Sequence, residues 1–535
     1  MKAFSLLKKI CRRVLLDSDE RHFARHQAEY SKRLLKNTKQ DKRRILIDFF
    51  DSNLVVYSSG LTARYLASKL NASIDGFLFA RGWAGRLGIP SRRIEKLYGA
   101  FGARPRLSFK EGERFSKEAQ EYADQTFSSL KNKWDVVNLS IDGVKIGDLV
   151  YDTYLRAGRW TVDLADPRLK EILCDAFLIF KLCREYFRNH DVCAVITSHC
   201  VYISHGILVR VASTFRVPVF FVMDPYKFQV VEVREDNNHY HFYYHRYKEL
   251  FARFNEVEKQ KHRDEARKVL LERLSGKIDS GIADILEDGR PGLHGYGAFS
   301  EGRLLKETGR PRVIVMLNCF LDAPHCYRDM LFPDFWEWIN FVLSRASQTS
   351  FDWYVKPHPG GLPQNDLVLE ELKRKYPKVN FLGRSASNRQ IAAEGIDAMF
   401  TVFGTAAHEF AYMGIPVVTA GDNPHVNYGF NFHPRTVEEY EKFIANAGHL
   451  KIEIDKAEIE EFFYMHYIDA HRPNPFGAIC VDDSLSSQVV GARVNHPSIL
   501  KDYVRTETQE KLQKLEAYLG DFFGNYFPQI KNEPG

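Results

Sequence analysis

Two side chains that can bind an anion stand in a turn that interrupts a buried stretch of the sequence. The segment "FDWYV" (351–355) is typical of a buried strand, and "KPHPGG" (356–361) follows it directly. Because two prolines within three residues prevent a strand or helix from continuing, Lys356 and His358 are predicted to lie where the strand ends. An ammonium and an imidazole at that position can both donate hydrogen bonds to a ligand oxygen.

A second stretch, "MFTVFGTAAHEFAYMGIPVVTAG" (399–421), has the pattern of a strand, a glycine turn and a helix. Gly404 allows a close turn, and Thr405 is predicted to cap a helix whose free N–H groups attract an anion such as phosphate. His408 and Glu409 fall one turn further on, where the carboxylate could accept hydrogen bonds from ribose hydroxyls. The alternative is that Glu409 only complements the positive helix end and that His408 is a surface residue.

Strands and helices alternate through residues 311–450, which predicts a doubly wound parallel sheet. Strands are expected in "RVIVML", "FDWYV", "VNFLG", "AMFTVF" and "PVVTA", with helices between them. Parallel strands end at one sheet edge, so the two stretches should border one crevice. We therefore predict a nucleotide phosphate site at this edge, although His358 alone could be a structural histidine in a Pro-rich turn. Its expected residues are Lys356, His358, Gly404, Thr405, His408 and Glu409.

The N-terminal half carries a second α/β pattern. "ILIDFF" (45–50) is typical of a buried strand, and "CAVIT", "HGILVRVASTF" and "VPVFFV" (193–222) form a strand–helix–strand unit. We expect two Rossmann-like doubly wound domains facing a cleft, with helical extensions at both ends. The expected segments are 1–44 (basic and helical), 45–310 (α/β with a helical insert), 311–450 (α/β) and 451–535 (helical, packing back on the domains).

Composition excludes several classes of protein. The net charge is +6, from 75 basic and 69 acidic residues, which is far weaker than a nucleic-acid binder would show. The eight cysteines form no CxxC pair, so a zinc ribbon or disulfide scaffold is not expected. No apolar stretch is long enough to span a membrane. The segment "MKAFSLLKKICRRVLLDSDE" (1–20) could lie on an anionic membrane as an amphipathic helix, or it could pack on the rest of the protein.

The motifs "YVKPHP" and "GTAAHEFAYMGIPVV", about 50 residues apart, resemble those of bacterial capsule-polysaccharide GT-B glycosyltransferases. This group includes Kdo transferases, and similar His-Pro signatures occur in sialyl- and polysialyltransferases. The resemblance covers residues 311–445. It implies contacts between the donor phosphate and His358, Gly404 and Thr405, with Glu409 as a further contact. It also implies a donor site on the C-terminal domain, an acceptor site on the N-terminal domain, and no metal or other cofactor beyond the nucleotide-sugar substrate.

Three N-terminal places could supply a catalytic base, which would remove the acceptor proton in an inverting transfer. The first choice is Asp142, in "LSIDGVKIGDLVYDTYLRAG", although Asp-Gly is also an ordinary hairpin turn. His199, in "SHCVYISHG", is the next choice. Other candidates in these stretches and in "NASIDGF" are Asp75, Asp148, Asp152, Ser198 and His205, with Arg156 available for an anionic group.

The segment "GDNPHVNYGFNFHPRT" (421–436) follows the last predicted strand and should lie at the cleft rim. Asn423 and His425 could contact the donor sugar, or the polar side chains could only satisfy their own loop. A metal site is not expected, since no spacing matches a zinc pattern. The potential ligands His408, Asp422, His425 and His433 lie close in sequence without such a spacing.

The sequence therefore predicts a cytoplasmic glycosyltransferase, peripheral to the inner membrane or free of it. It would transfer sugar from a CMP- or UDP-sugar to a surface polysaccharide or glycolipid acceptor. Rivals of the same architecture are an enzyme like UDP-N-acetylglucosamine 2-epimerase and a polyol-phosphate transferase. A rival of another class is a non-catalytic polysaccharide assembly protein.

Overall fold

The computed structural model describes ten stretches of the chain. They are residues 15–36, 42–79, 91–222, 228–236, 239–241, 243–275, 299–327, 329–358, 363–469 and 498–531. The apolar positions of the predicted membrane-surface helix up to Val14 lie outside the described residues. The structure therefore does not bear on that prediction.

The N-terminal domain is built on a seven-stranded sheet in the order β3-β2-β1-β6-β7-β8-β9, in which β8 and β9 run antiparallel to their neighbours. Its parallel part has the Rossmann order 3-2-1-4-5. A separate two-residue hairpin, β4 and β5, lies outside this sheet. The strands are β1 (Arg43–Asp48), β2 (Ser73–Leu78), β3 (Ala103–Ser108), β4 (Ser140–Ile141), β5 (Val144–Lys145), β6 (Asp191–Thr197), β7 (Val219–Val222), β8 (Val230–Asp236) and β9 (His239–His241).

The C-terminal domain repeats that order in an all-parallel five-stranded sheet, β12-β11-β10-β13-β14. Four of the five strands fall within the segments predicted from the sequence, and β11 extends one residue beyond its segment, to Lys356. Their near-continuous apolar residues suit a sheet that is covered by helices on both faces. They are β10 (Arg312–Met316), β11 (Asp352–Lys356), β12 (Asn380–Phe381), β13 (Ala398–Thr401) and β14 (Val417–Thr419). The predicted fold class, two Rossmann-like α/β domains in the GT-B arrangement, is confirmed.

The helices cover the faces of the two sheets and extend beyond them. None of the described helices has the length of apolar sequence that a bilayer crossing requires. They are α1 (Ser18–Leu34), α2 (Asn53–Leu70), α3 (Ser91–Gly99), α4 (Phe109–Gly112), α5 (Ser116–Ser129), α6 (Lys133–Val137), α7 (Gly147–Arg156), α8 (Pro167–Asn189), α9 (Ile207–Thr214), α10 (Tyr247–Ala252), α11 (Glu256–Leu274), α12 (Phe335–Ala346), α13 (Pro363–Lys375), α14 (Asn388–Glu394), α15 (Thr405–Tyr412), α16 (Val437–Ala445), α17 (Lys456–Phe463), α18 (Ser498–Thr506), α19 (Gln509–Phe523) and α20 (Pro528–Lys531).

Some helices of each half of the chain pack on the domain that the other half forms. Helices α10 and α11, which the predicted boundary at 310 assigned to the N-terminal domain, pack into the C-terminal core instead, with Phe251 and Leu270 beside Phe462. Arg267 of α11 also holds Glu460 of α17 through two hydrogen bonds of 2.8 and 2.9 Å. Conversely, α18 and α19 pack on the N-terminal core, where Tyr503 stacks on Tyr57 at 4.5 Å.

Asp334 links the two domains. It caps α12 of the C-terminal domain by accepting a 2.8 Å hydrogen bond from the Glu337 amide. Its other carboxylate oxygen accepts hydrogen bonds from the hydroxyls of Tyr151 and of Thr161, the latter at 2.6 Å, on the N-terminal domain. The Asp334 side chain is fully buried, so these contacts fix the orientation of one domain relative to the other at this point.

Candidate functional site

A cavity of about 450 Å³ opens at the carboxyl edge of the C-terminal sheet. It lies at the ends of β10 and β13, where the strand order reverses, which is where open α/β sheets bind their ligands. Of the six residues predicted for the phosphate site, four line this cavity: Lys356, His358, Gly404 and Thr405. The other lining residues are Met316, Leu317, Asn318, Cys319, Asp322, Tyr327, Phe335, Pro357, Asn388, Thr401, Phe403 and Ala406.

Lys356 is the last residue of β11 and is 2% exposed. Burial lowers the pKa of its ammonium group to about 8. Among the described residues, no carboxylate lies within the 4.0 Å of an ion pair with it. A buried cation without a counter-charge is costly in the empty cavity, and an anionic ligand would offset that cost.

The start of α15 supplies further donors to the same cavity. Gly404, not Thr405, is the N-cap residue, and its φ of 137° and ψ of 169° belong to a region that only glycine adopts readily. Thr405 is the first helical residue. Because a helix leaves its first amide groups without partners in the helix, this turn can donate backbone hydrogen bonds to an anion.

Asn318 and Asp322 were not predicted from the sequence. They lie in the segment that follows β10, and a polar residue after a buried strand is the sequence signal that could have indicated them. The Asn318 amide nitrogen donates a 2.8 Å hydrogen bond to the Phe403 carbonyl, joining the turns after β10 and β13. Its amide oxygen is buried and has no hydrogen-bond partner among the described residues. A ligand donor in the cavity could satisfy that oxygen.

His408 and Glu409 do not line the cavity, contrary to the predicted site. His408 is 1% exposed and packs against Phe462, Phe463 and Tyr467, with ring centroids 5.3 to 5.8 Å apart. It therefore belongs to the interface between α15 and the α17 region, and it is not a surface residue either. Glu409 is fully buried. The prediction was wrong because residues 462–467 pack on this face of α15 and bury His408. The sequence of α15 alone does not indicate that contact.

Asn423 and His425 are also buried away from the cavity lining. The Asn423 side chain donates to the Gly421 carbonyl at 3.1 Å and accepts from the His425 amide at 3.0 Å. The His425 ring meets the Asn431 side chain at 3.2 Å, and burial holds its pKa well below the usual range. These contacts are those of the alternative interpretation, a loop that bonds to itself, although Nε2 of His425 and Oδ1 of Asn431 are buried without a hydrogen-bond partner among the described residues. The geometry does not support contacts to the donor sugar.

Asp142, the first choice for a base, is a hairpin-turn residue. With Gly143 it joins β4 to β5, and the φ angles of 50° and 79° are those of an Asp-Gly turn of type I′. Its carboxylate pairs with Arg184 and is 60% exposed. The hairpin alternative therefore accounts for Asp142.

The remaining acidic candidates are engaged in buried contacts. Asp148 forms two 2.6 Å hydrogen bonds with Arg210; burial raises its pKa, but the Arg210 charge outweighs this and holds it at about 2. Asp152 lies 2.6 Å from His325 of the C-terminal domain, and burial raises its pKa to about 6. Asp75 lies within β2, where it accepts a hydrogen bond from Tyr186.

His199 lies beside other polar groups at the carboxyl edge of the N-terminal sheet. Its ring stacks on Phe50, with centroids 4.3 Å apart, and its Nδ1 is 3.1 Å from the Ser198 hydroxyl. Burial, followed by the nearby His205, lowers the pKa of His199 to about 4. His199 is therefore neutral at physiological pH and is a weak base.

In the described residues, no group of three or more His, Cys, Asp or Glu side chains is arranged to hold a metal ion. Among the potential metal ligands of this domain, Asp422 is paired with Arg435 at 2.5 Å. His433 lies 2.8 Å from the Thr419 hydroxyl. These contacts are structural ones.

No family model and no curated protein matches the chain. Solved structures with similar folds include the KpsC β-Kdo 2,4 transferase of Thermosulfurimonas dismutans, at 15% identity over 52% of this chain and 81% of that one, with a TM-score of 0.33. Anabaena Alr3699/HepE, solved with UDP and glucose, is 10% identical over 86% and 98%, with a TM-score of 0.22. The UDP-GlcNAc 2-epimerase of Neisseria meningitidis is 7% identical over 80% and 99%, with a TM-score of 0.21. Likeness at this level concerns the fold alone.

Proposed function

We propose that the protein is a glycosyltransferase that uses a nucleotide-activated sugar. The observation that carries this proposal is the cavity at the strand-order reversal of the C-terminal sheet. There Lys356, a buried cation that has no ion-pair partner among the described residues, shares one space with His358 and the first turn of α15. These groups can bind a phosphate, and the cavity is large enough for a nucleotide.

In this proposal the donor phosphate occupies the space between Lys356 and the N-terminus of α15. When the bond from the anomeric carbon to the phosphate breaks, negative charge grows on the leaving oxygen. A preorganised ammonium, an imidazole and backbone N–H groups stabilise that charge more strongly in a buried site than water would. The same groups therefore bind the donor and favour its cleavage.

The His-Pro and "GTAAHEFAYMGIPVV" motifs further support a capsule-type transferase with a CMP- or UDP-sugar donor. The acceptor in this proposal is a growing surface polysaccharide or a lipid-linked glycan, held on the N-terminal domain. An acceptor presented at the inner face of the membrane would suit the basic residues near the N-terminus.

The test is a calorimetric panel of CMP, UDP, GDP and their common sugar conjugates. It is run on wild type, on His358→Ala, and on His449→Ala as a control, since His449 is an exposed residue of the same domain outside the cavity. We expect one nucleotide to bind selectively, with affinity at least about tenfold lower in His358→Ala and unchanged in His449→Ala. Absence of binding to the wild type by every nucleotide would contradict the proposal.

Product analysis of the bound conjugate separates the rival activities. A transferase releases free nucleotide and moves the sugar, whereas an epimerase changes the sugar. A polyol-phosphate transferase passes a phosphate ester to its acceptor, and a non-catalytic assembly protein leaves the conjugate intact.

A further inference from the structure

The N-terminal sheet also has a strand-order reversal, between β1 and β6. This is the position in the N-terminal domain that corresponds to the cavity in the C-terminal domain. The polar residues that end these two strands, Asp48 and Thr197, are both buried there. Ser198, His199 and His205 follow β6 on the same edge.

Asp48 and His205 form a close pair within this group. The His205 Nδ1 lies 2.9 Å from the Asp48 Oδ2, and the Asp48 side chain is only 3% exposed. The hydroxyls of Thr197 and Ser198 lie 3.5 Å from the same carboxylate oxygen. A carboxylate held in this way keeps the proton of a neutral imidazole on Nδ1, which leaves a lone pair on Nε2.

The His205 ring is not fully enclosed. Its side chain is 16% exposed, and among the described residues its polar contact is to Asp48 through Nδ1. Its ring lies 5.4 Å from that of His199 and 5.8 Å from that of Phe50. The Nδ1 of His199, in contrast, meets the Ser198 hydroxyl and not a carboxylate. Of the two histidines, His205 has the geometry of an oriented base.

Charged groups connect this edge to the donor cavity. The charge of Arg156 acts on both His199 and Tyr202. Burial raises the pKa of Tyr202, and Asp322, which lines the donor cavity, raises it further. Tyr202 itself begins the turn that carries His205. These interactions place the turn that carries His205 near Asp322 of the cavity lining.

We propose that His205 is the catalytic base that activates the acceptor and that Asp48 is its positioning residue; this inference rests on the proposed glycosyltransferase function. The acceptor hydroxyl oxygen forms a bond to the anomeric carbon while the bond from that carbon to the donor phosphate breaks. The hydroxyl proton passes to Nε2 of His205, and the electron pair leaves with the nucleotide phosphate. His205 takes the role predicted for Asp142 or His199.

The test uses water as the acceptor and the nucleotide-sugar identified by calorimetry as the donor. Wild type, His205→Asn, Asp48→Asn and His190→Asn are compared for donor affinity and for the rate of nucleotide release between pH 5 and pH 9. His190 is the matched control, since it precedes β6 at the opposite edge of the sheet and contacts the Tyr186 carbonyl. Each variant is also checked by circular dichroism and thermal unfolding.

In His205→Asn we expect nucleotide release to fall about 100-fold or more, with unchanged donor affinity. In Asp48→Asn the turnover number should fall without a change in donor KM. A structural role alone would not give a loss confined to the turnover number.

The outcomes separate the two proposals. Wild type that binds no donor, or binds it without releasing nucleotide, overturns the glycosyltransferase proposal. Wild type that releases nucleotide while His205→Asn does so at the same rate overturns only the assignment of His205. A His190→Asn variant as impaired as His205→Asn would likewise overturn it, because the loss would then not be specific to the cleft edge.

Discussion

Replacing Lys356 with methionine should make the empty protein more stable while removing its affinity for nucleotide. Methionine keeps most of the apolar stem that fills the end of β11 and deletes the charge. Lys356 is 2% exposed and has no ion-pair partner among the described residues, so the desolvation of its ammonium group destabilises the fold. Only a bound anion would offset that cost.

The size of the effect follows from the displacement of the pKa. For Lys356 it falls from the ordinary 10.5 to about 8. At about 1.4 kcal/mol per pH unit, the charged side chain costs about 3 kcal/mol at pH 7. The folded state binds fewer protons than the unfolded state between pH 8 and pH 10.5. Wild type should therefore gain stability across that range, and below pH 8 the full cost applies.

The assay is guanidinium unfolding at pH 7 and pH 9.5, followed by tryptophan fluorescence, to which the buried Trp338 and Trp353 of the C-terminal core contribute. We expect Lys356→Met to be about 1–3 kcal/mol more stable than wild type at pH 7, with a smaller difference at pH 9.5. The control is Lys378→Met, an exposed position of the same domain, which should change stability by less than about 0.5 kcal/mol. A destabilised Lys356→Met at pH 7, or one that binds nucleotide like wild type, would refute the reasoning.

Three further predictions concern Lys356 and Gly404 of the cavity and Asp142 of the β4–β5 hairpin. Nucleotide affinity should fall about tenfold between pH 7 and pH 9, because the ligand needs the protonated form of Lys356; calorimetry that shows a flat profile would argue against this. Gly404→Ala should cost about 1–3 kcal/mol and weaken nucleotide binding, since its φ of 137° suits only glycine, and an alanine variant with wild-type unfolding would contradict it. Asp142→Asn should leave the rate of nucleotide release unchanged, because asparagine fits the same turn; a loss of 100-fold would restore Asp142 as the base.

The C-terminal sheet could be predicted from the sequence because its strands are continuous apolar runs separated by clear turn and helix signals. In β11, for example, all five residues are buried. Lys356 and His358 could be placed for the same reason, since a Pro-rich turn after a buried strand has one position at the sheet edge. Gly404 and Thr405 followed from the glycine turn after β13.

The N-terminal domain was harder to predict because several of its elements do not have that pattern. Strand β3 lies at the sheet edge and exposes Arg104, Pro105 and Arg106, so its sequence "ARPRLS" is not typical of a strand. Helix α11 packs on the C-terminal core and α19 on the N-terminal core. These contacts join residues far apart in the sequence, so the local periodicity of apolar residues cannot indicate them. His408 was misplaced for the same reason, since its neighbours come from residues 462–467.

The contact between Asp48 and His205 is an example of a feature that could not be predicted from the sequence. The two residues are 157 positions apart, and each alone is an ordinary polar residue at the end of an apolar segment. Only the adjacency of β1 and β6 brings them together, at the same topological position as the donor cavity in the other domain. If the proposed function is correct, the donor cavity acts on the leaving group and the Asp48–His205 pair acts on the acceptor of the same reaction. Lys356 meets the negative charge that leaves with the phosphate, and His205 takes the proton that the attacking hydroxyl loses. A transferase of this kind needs both strand-order reversals to border one cleft, so the contacts of Asp334 with Tyr151 and Thr161 are as much a condition of catalysis as either site.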